Sequence, residues 1–355
     1  MEIKITKTDH SKLDQVDFDN LPFGQISSDH MFVMEYDGTS WQNARIEPLR
    51  TFEIHPSNLA LHYGQSIFEG MKASINREGI PMLFRPELHA QRMNASAERM
   101  CMPTIDPEFF VEAISALVNL EKGWIPQEDG SALYIRPFMY AIDHFLGVRP
   151  SITYRFCIIT LPVGPYYAKP VSLLASDTYV RAIPGGVGEA KTSGNYAASL
   201  YPSKLAQEQG FDQVLWLDGH EFKYVQEVGT MNLFFVFEDE IATPDNNGAV
   251  LKGITRRSFI EILRDKGHRV TERPISIDEV FDAHAQGKLK EVFGAGTAAV
   301  ASTVGHIAHL DRKIDLDATA NPIARFLKAE IDGLRAGTVE DTRGWTMPAL
   351  APAQV

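Results

Sequence analysis

Lys191 sits in IPGGVGEAKTSG (residues 183–194), a glycine-rich stretch with few large side chains and no regular period. Such a stretch packs no core of its own, so it is either a flexible loop or a place where backbone approaches something closely. An amine that attacks a carbonyl carbon needs room, partial desolvation and close backbone approach, and these flanks offer all three. An exposed loop lysine explains the same residues equally well. Glu227 lies in VQEVGTMN (225–232), directly before the apolar run 233–237. A carboxylate at the border of a buried strand needs a partner, because burying it alone is costly. A protonated ring nitrogen is one such partner, and a structural salt bridge is another. Arg85 and Arg136 each stand before a proline at a strand end. A guanidinium there either meets carboxylate or phosphate in bidentate fashion or is simply solvated at a rim.

Two further segments have the form of anion sites. Lys252-Gly253-Ile254-Thr255 leads into a helical pattern at 256–266, and a helix start offers N–H groups and a positive dipole end. An ordinary N-capping threonine fits there as well. GAGTAA (294–299) matches a dinucleotide fingerprint, but residues 299–310 read as a strand where that fold requires a helix. A turn whose N–H groups point inward to phosphate or carboxylate fits better. Other signals are missing: His220-Glu221-x-x-Tyr224 lacks the second histidine of a zinc protease helix, and no metal site is expected.

The elements that must position these residues change character along the chain. Strand-like runs at 31–36, 80–84, 132–140 and 154–162 frame two helical patterns at 86–100 and 106–122, the second opening Asp-Pro-Glu. Residues 161–170, with three prolines and a glycine, read as a linker, followed by a strand at 171–180. Strands at 213–217, 233–237 and 291–293 then mix with helices at 196–209, 256–266 and 322–334, and the tail after Gly344 reads as loosely held at its end. The irregular order argues for α+β rather than a doubly wound sheet.

Bulk properties narrow the partners. The chain has 355 residues, 44% of them hydrophobic and 23% charged, and a formal charge of −12 that disfavours nucleic acid and anionic membranes. No stretch reaches the ~18 apolar residues of a membrane span, and the start is neither a signal nor a transit peptide, so a cytoplasmic protein is expected. Cys101 and Cys157 lie in apolar surroundings and read as core residues.

Together, LHYGQSIFEGMKA (61–73), LFRPELHAQRM (83–93), LYIRP (133–137), KTSGNYAASL (191–200), QVLWLDG (213–219), EVGTMN (227–232), KGITRRS (252–258) and EVFGAGTA (291–298) resemble the fold type IV pyridoxal 5′-phosphate enzymes. Within these they resemble the branched-chain amino acid aminotransferases. No single motif is decisive, but eight stand in the family's order. The resemblance implies an α+β fold with a smaller N-terminal α/β domain (1–163), an interdomain loop (164–185) and a larger C-terminal mixed-sheet domain (186–355), the active site lying between them.

It also assigns roles residue by residue. Lys191 matches the lysine that binds the cofactor covalently and moves the proton, Tyr196 the tyrosine on the ring hydroxyl, and Glu227 the carboxylate on the ring nitrogen. Arg85, Ile254, Thr255 and Thr297 match the phosphate cup, and Thr230 lines the site nearby. Thr297 and Ala298 lie at the turn that receives the substrate carboxylate, with Tyr63 placed to bond it. Phe68 and Tyr134 would line the side-chain pocket, and Arg136 resembles the group that meets glutamate's distal carboxylate. Leu146 and Val148 match an aliphatic pair supplied by the partner subunit, which implies a homodimer. The expected activity exchanges amino groups between leucine, isoleucine or valine and 2-oxoglutarate, with only amino acids and 2-oxo acids as partners. D-amino acid aminotransferase and aminodeoxychorismate lyase share the fold and are the alternatives. A redox Cys-x-x-Cys carried by some animal members is replaced by Ala299 and Ser302.

Overall fold

The computed structural model describes residues 1–128, 130–164, 169–229, 231–319 and 321–350. Contacts divide the chain into two compact units: Met1–Tyr166 with Ala190–Ser193 and Asp332–Val355, and Tyr167–Glu189 with Gly194–Ile331. The division cuts across the segments 1–163, 164–185 and 186–355, because four residues around Lys191 and those from 332 onward pack with the first unit.

The first unit holds β1 (Lys4–Ile5), β2 (His30–Tyr36), β3 (Trp41–Pro48), α1 (Leu59–Tyr63), β4 (Ser66–Phe68), β5 (Met71–Ile75) and β6 (Pro81–Phe84). After these come α2 (Pro86–Arg99), α3 (Pro107–Leu120), β7 (Ala132–Ala141) and β8 (Tyr154–Val163). Its sheet runs β1-β3-β2-β8-β7-β5-β6, with β4 on β7, and all pairs except β1–β3 are antiparallel. The longest pairing joins β7 to β8 from Ala132↔Val163 to Ala141↔Tyr154, so Pro162 belongs to a strand and the linker starts later than its prolines suggest. Both helices open with proline in the first turn, where a missing N–H costs no helical bond. Asp106 caps α3 by accepting from the Phe109 N–H at 2.9 Å. Phe110, Ile114 and Leu117 of α3 then pack with Phe32, Phe156 and Ile158 of the sheet.

The second unit holds β9 (Val171–Ala175), α4 (Ser193–Glu208), β10 (Gln213–Leu217), β11 (Val225–Val228), β12 (Met231–Phe237) and β13 (Ile241–Thr243). It continues with α5 (Ile254–Asp265), β14 (Val270–Glu272), α6 (Ile277–Ala285), β15 (Leu289–Gly296), β16 (Val300–His309) and β17 (Arg312–Asp315), and α7 (Pro322–Ala336) starts in it and runs past the boundary at Asp332. Strands pair in the order β11-β10-β9-β16-β15-β12, and β11 pairs β12 in turn, which closes a ring of six. Leu173, Leu215, Leu233, Val292 and Val304 share one buried cluster, the alternation expected when a closed sheet fills its own interior. β9 stops at Ala175, five residues short of the expected 171–180, where the polar Ser176-Asp177-Thr178 follow. The helix expected from Arg256 begins at Ile254 with Gly253 as its N-cap, so Thr255 is a first-turn residue rather than the cap.

The last strand, β18 (Thr346–Pro348), returns to the first unit and pairs antiparallel with β6. The tail after Gly344 is therefore held in part, and residues 351–355 lie outside the described ones. Cys157 is buried, as read from sequence, and burial pushes its thiol up. Cys101 is exposed, contrary to expectation, because it takes the left-handed turn that ends α2 at φ 54°.

Candidate active site

In the first unit Lys191 is pinned through its backbone. Its N–H donates to Ser96 Oγ on α2 at 2.9 Å, and its carbonyl accepts from the Phe68 N–H on β4 at 3.0 Å. Thr192 bridges Ile67, and its hydroxyl donates to the Ser66 carbonyl at 2.8 Å. The Lys191 segment is therefore an extra edge on β4 rather than a loose loop. Lys191 Nζ lies 4.9 Å from the Phe68 ring centroid, an aromatic face that attracts a cation.

Phe68, Tyr134 and Arg136 gather beside it. The Arg136 guanidinium lies 4.6 Å from the Phe68 ring centroid and 5.2 Å from that of Tyr134, and it donates to the Tyr134 hydroxyl at 3.0 Å. Arg136 Nε is buried and makes no hydrogen bond among the described residues. Gly70 is required here: a Cβ would stand 2.1 Å from the Tyr134 hydroxyl. Tyr63 ends α1 and is exposed, as are Leu146 and Val148, at 62% and 90%. Those three are not gathered with the rest in this chain.

Beneath this group lies a charge cluster that sequence reasoning missed. Glu69, fully buried, accepts from Arg92 Nε at 2.7 Å and Arg92 Nη2 at 2.9 Å, and it takes His89 Nδ1–H at 2.7 Å. Burial alone raises the Glu69 carboxyl. The Arg92 charge and the hydrogen bonds outweigh it and hold Glu69 well below the usual carboxylate range. Burial pushes His89 down against the pull of Glu69, with Arg92 and Lys191 adding to the fall. The signal in sequence was His89-x-x-Arg92 on α2, a spacing that puts both on one helix face. Arg85, also buried, caps the start of the same helix.

In the second unit Tyr196 on α4 and Glu227 on β11 line one cleft with Arg181, Asn195 and Asn232. Glu227 Oε1 pairs with Arg181 Nε at 2.8 Å, and Oε2 accepts from the Leu251 N–H at 3.0 Å and Asn232 Nδ2 at 3.4 Å. The structural salt bridge weighed from sequence is thus present, with Arg181, a residue nothing in the motifs had marked. A carboxylate offers about four lone-pair sites, the kind of acceptor a ring N–H would need. Asn232 also bonds the Leu251 carbonyl at 2.9 Å and stands against Gly253, where a Cβ would meet its Oδ1 at 2.0 Å. The start of α5, with Ile254 and Thr255, is thereby tied to the Glu227 side of the cleft. No side chain caps that helix. Thr297 and Ala298 fall in the turn between β15 and β16. Thr230 lies outside the described residues. Among the described residues no cluster of three or more His, Cys, Asp or Glu is gathered as a metal site requires.

The amino-transferase class IV family matches residues 66–307. The chain is 45% identical to branched-chain-amino-acid aminotransferase 2 of Bacillus subtilis (strain 168), covering 99% of this chain and 97% of that protein. Among solved structures it resembles the branched-chain amino acid aminotransferase of Escherichia coli, with TM-score 0.75 and 26% identity, covering 91% of this chain and 99% of that one. It shares its fold with the branched-chain aminotransferase of Thermoproteus uzoniensis solved with norvaline, with TM-score 0.76 and 24% identity over 90% of this chain and 100% of that one. A pinned lysine strand, a clamped carboxylate and an uncapped helix start, arranged along the same sequence as these enzymes, have one reading: the chain belongs to the class IV aminotransferases, in their branched-chain amino acid group.

Proposed function

We propose that the chain transfers amino groups between leucine, isoleucine or valine and 2-oxoglutarate, with pyridoxal 5′-phosphate as cofactor, as a cytoplasmic homodimer. The observation that carries the dual specificity is Arg136: its flat face lies against Phe68 and Tyr134, while its buried Nε makes no hydrogen bond among the described residues. Apolar rings accept a branched side chain, gaining roughly 1.5–3 kcal/mol by burial. The buried N–H would donate to glutamate's distal carboxylate in the same pocket.

The residues fit the cofactor chemically. Lys191 would hold its aldehyde carbon, Tyr196 its ring hydroxyl and Glu227 its ring nitrogen. Arg85 and the α5 start at Ile254 and Thr255 would hold its phosphate, with Thr230 and Thr297 beside them. When bound, the cofactor supplies an electrophilic carbon for the amine and a ring that withdraws electrons from Cα. The chain supplies the rest. Once the substrate amine has displaced it, Lys191 Nζ would take the Cα proton as base and deliver it as acid to the cofactor's C4′. Ser96 and Phe68 fix the backbone from which that amine swings. The anionic Glu227 keeps a proton on the ring nitrogen, and Arg181 fixes the carboxylate's orientation. Thr297, Ala298 and Tyr63 would bind the substrate's α-carboxylate. Leu146 and Val148, exposed here, are offered to a partner subunit's pocket.

The test is an assay of leucine against D-alanine with 2-oxoglutarate, together with the absorption spectrum of the purified protein. Leucine turnover and a yellow protein that bleaches on adding leucine are expected. Preference for D-alanine points to the D-amino acid enzymes of the fold. Lys191→Ala should abolish both colour change and turnover, and retained turnover refutes the role of Lys191.

A further inference from the structure

Arg85 adopts φ 48° and ψ 46°, in the left-handed region. A residue with a side chain enters that region only at a cost, and Pro86 restricts it further. Something nearby must over-determine the conformation. The Arg85 N–H donates to the Trp345 carbonyl at 2.6 Å, and the Arg85 guanidinium carbon lies 4.4 Å from the Trp345 ring centroid. One residue therefore holds both ends of this arginine. Trp345 is itself well seated. It is 7% exposed, meets Phe84 edge-to-face at 5.9 Å and 88°, and is followed by Thr346, whose N–H and hydroxyl donate to Asp341 at 2.6 and 2.8 Å. Arg343 stacks on the same indole at 4.9 Å.

We infer that Trp345 is a positioning residue for the cofactor's phosphate, acting through Arg85; this rests on the cofactor assignment proposed above. An arginine side chain has many rotamers to lose, and binding is tighter when that freedom is already lost before the anion arrives. Stacking engages the flat face of the guanidinium, whereas an oxyanion is met along its N–H edge, so one arginine serves both. Trp345 thus acts on phosphate affinity without touching the phosphate.

The experiment compares binding of pyridoxal 5′-phosphate and of pyridoxal, which lacks the phosphate, to the apoenzyme by absorbance titration. In Trp345→Leu the Kd for pyridoxal 5′-phosphate should rise about five- to tenfold, the effect of returning part of its rotamer freedom to Arg85, with pyridoxal unaffected. In an Arg85→Lys background the same substitution should cost much less, because the stacked guanidinium is gone. Equal losses for both ligands, no loss for either, or an undiminished loss in the Arg85→Lys background would overturn the inference. If Trp345→Leu does not fold, Trp345→Phe carries the comparison: phenyl binds cations less well than indole. A smaller loss confined to the phosphorylated ligand then supports the inference, and its absence overturns it. Wild-type apoenzyme that binds neither ligand would instead sink the cofactor assignment.

Discussion

If Arg136 meets glutamate's distal carboxylate as proposed, one side chain with two surfaces carries the dual specificity. Its π face completes an apolar wall with Phe68 and Tyr134, and its buried N–H needs an acceptor. Arg136→Ala is expected to lower kcat/KM for glutamate by about a hundredfold or more, the usual loss when a buried charged hydrogen bond goes, and for leucine by less than tenfold. Equal losses in paired assays would count against the assignment. Arg136 was visible in sequence because a strand arginine before proline is unusual. Arg181 was not, since it precedes the glycine-rich stretch without any spacing that joins it to Glu227. Their meeting at 2.8 Å depends on strand register, which no local pattern encodes.

At the scale of elements, the start of α5 shows how little tolerance the cleft has. Gly253 has an ordinary φ of −66°, so its backbone would accept alanine without strain. The obstacle is Asn232 Oδ1, 2.0 Å from where a Cβ would sit. Gly253→Ala must push Asn232 away from Leu251 and Glu227. The expected outcome is a stability loss of roughly 1–3 kcal/mol in urea unfolding and a cofactor Kd raised about tenfold. Unchanged values for both would show that Asn232 has somewhere to go. Local texture made five helices legible to within a few residues, since Pro86 and Asp106-Pro107 mark helix starts by their own chemistry, whereas the short α1 and α6 were missed. Strand ends were legible unevenly. β8 ends at Val163, one residue past the run read from sequence, but β9 stops at Ala175, short of the expected 171–180, where Ser176-Asp177-Thr178 break the pattern. Closure of the six-strand ring was not legible at all, because it requires β11 and β12 to pair after the rest of the sheet has come round.

For the whole molecule, acid is the informative stress. Asp143 is pushed up by burial but pulled down further by Thr153, Ile152 and Arg149, to about 2. Asp218 likewise falls to about 2 under four backbone N–H groups, from Glu221, Tyr224, Lys223 and His220. An unfolded aspartate titrates near ~3.9, so both folded values lie below it. The stability they contribute is complete above about pH 4 and is lost as pH falls toward 2. Urea midpoints measured across that window should drop, and Asp143→Asn with Asp218→Asn should flatten the slope. An unaltered slope would show that other carboxylates dominate.

The interleaving of the two units has a consequence for biosynthesis. Everything in the second unit has been translated once Ile331 is joined, whereas the first still awaits β18 and the indole under Arg85. On the ribosome, the early sheet must therefore wait with β6 uncovered on one side while some 180 intervening residues emerge, roughly ten to forty seconds at ordinary elongation speeds. An unpaired strand exposed for that long is an invitation to wrong partners, so nascent chains stalled before Trp345 should be the ones that chaperones hold.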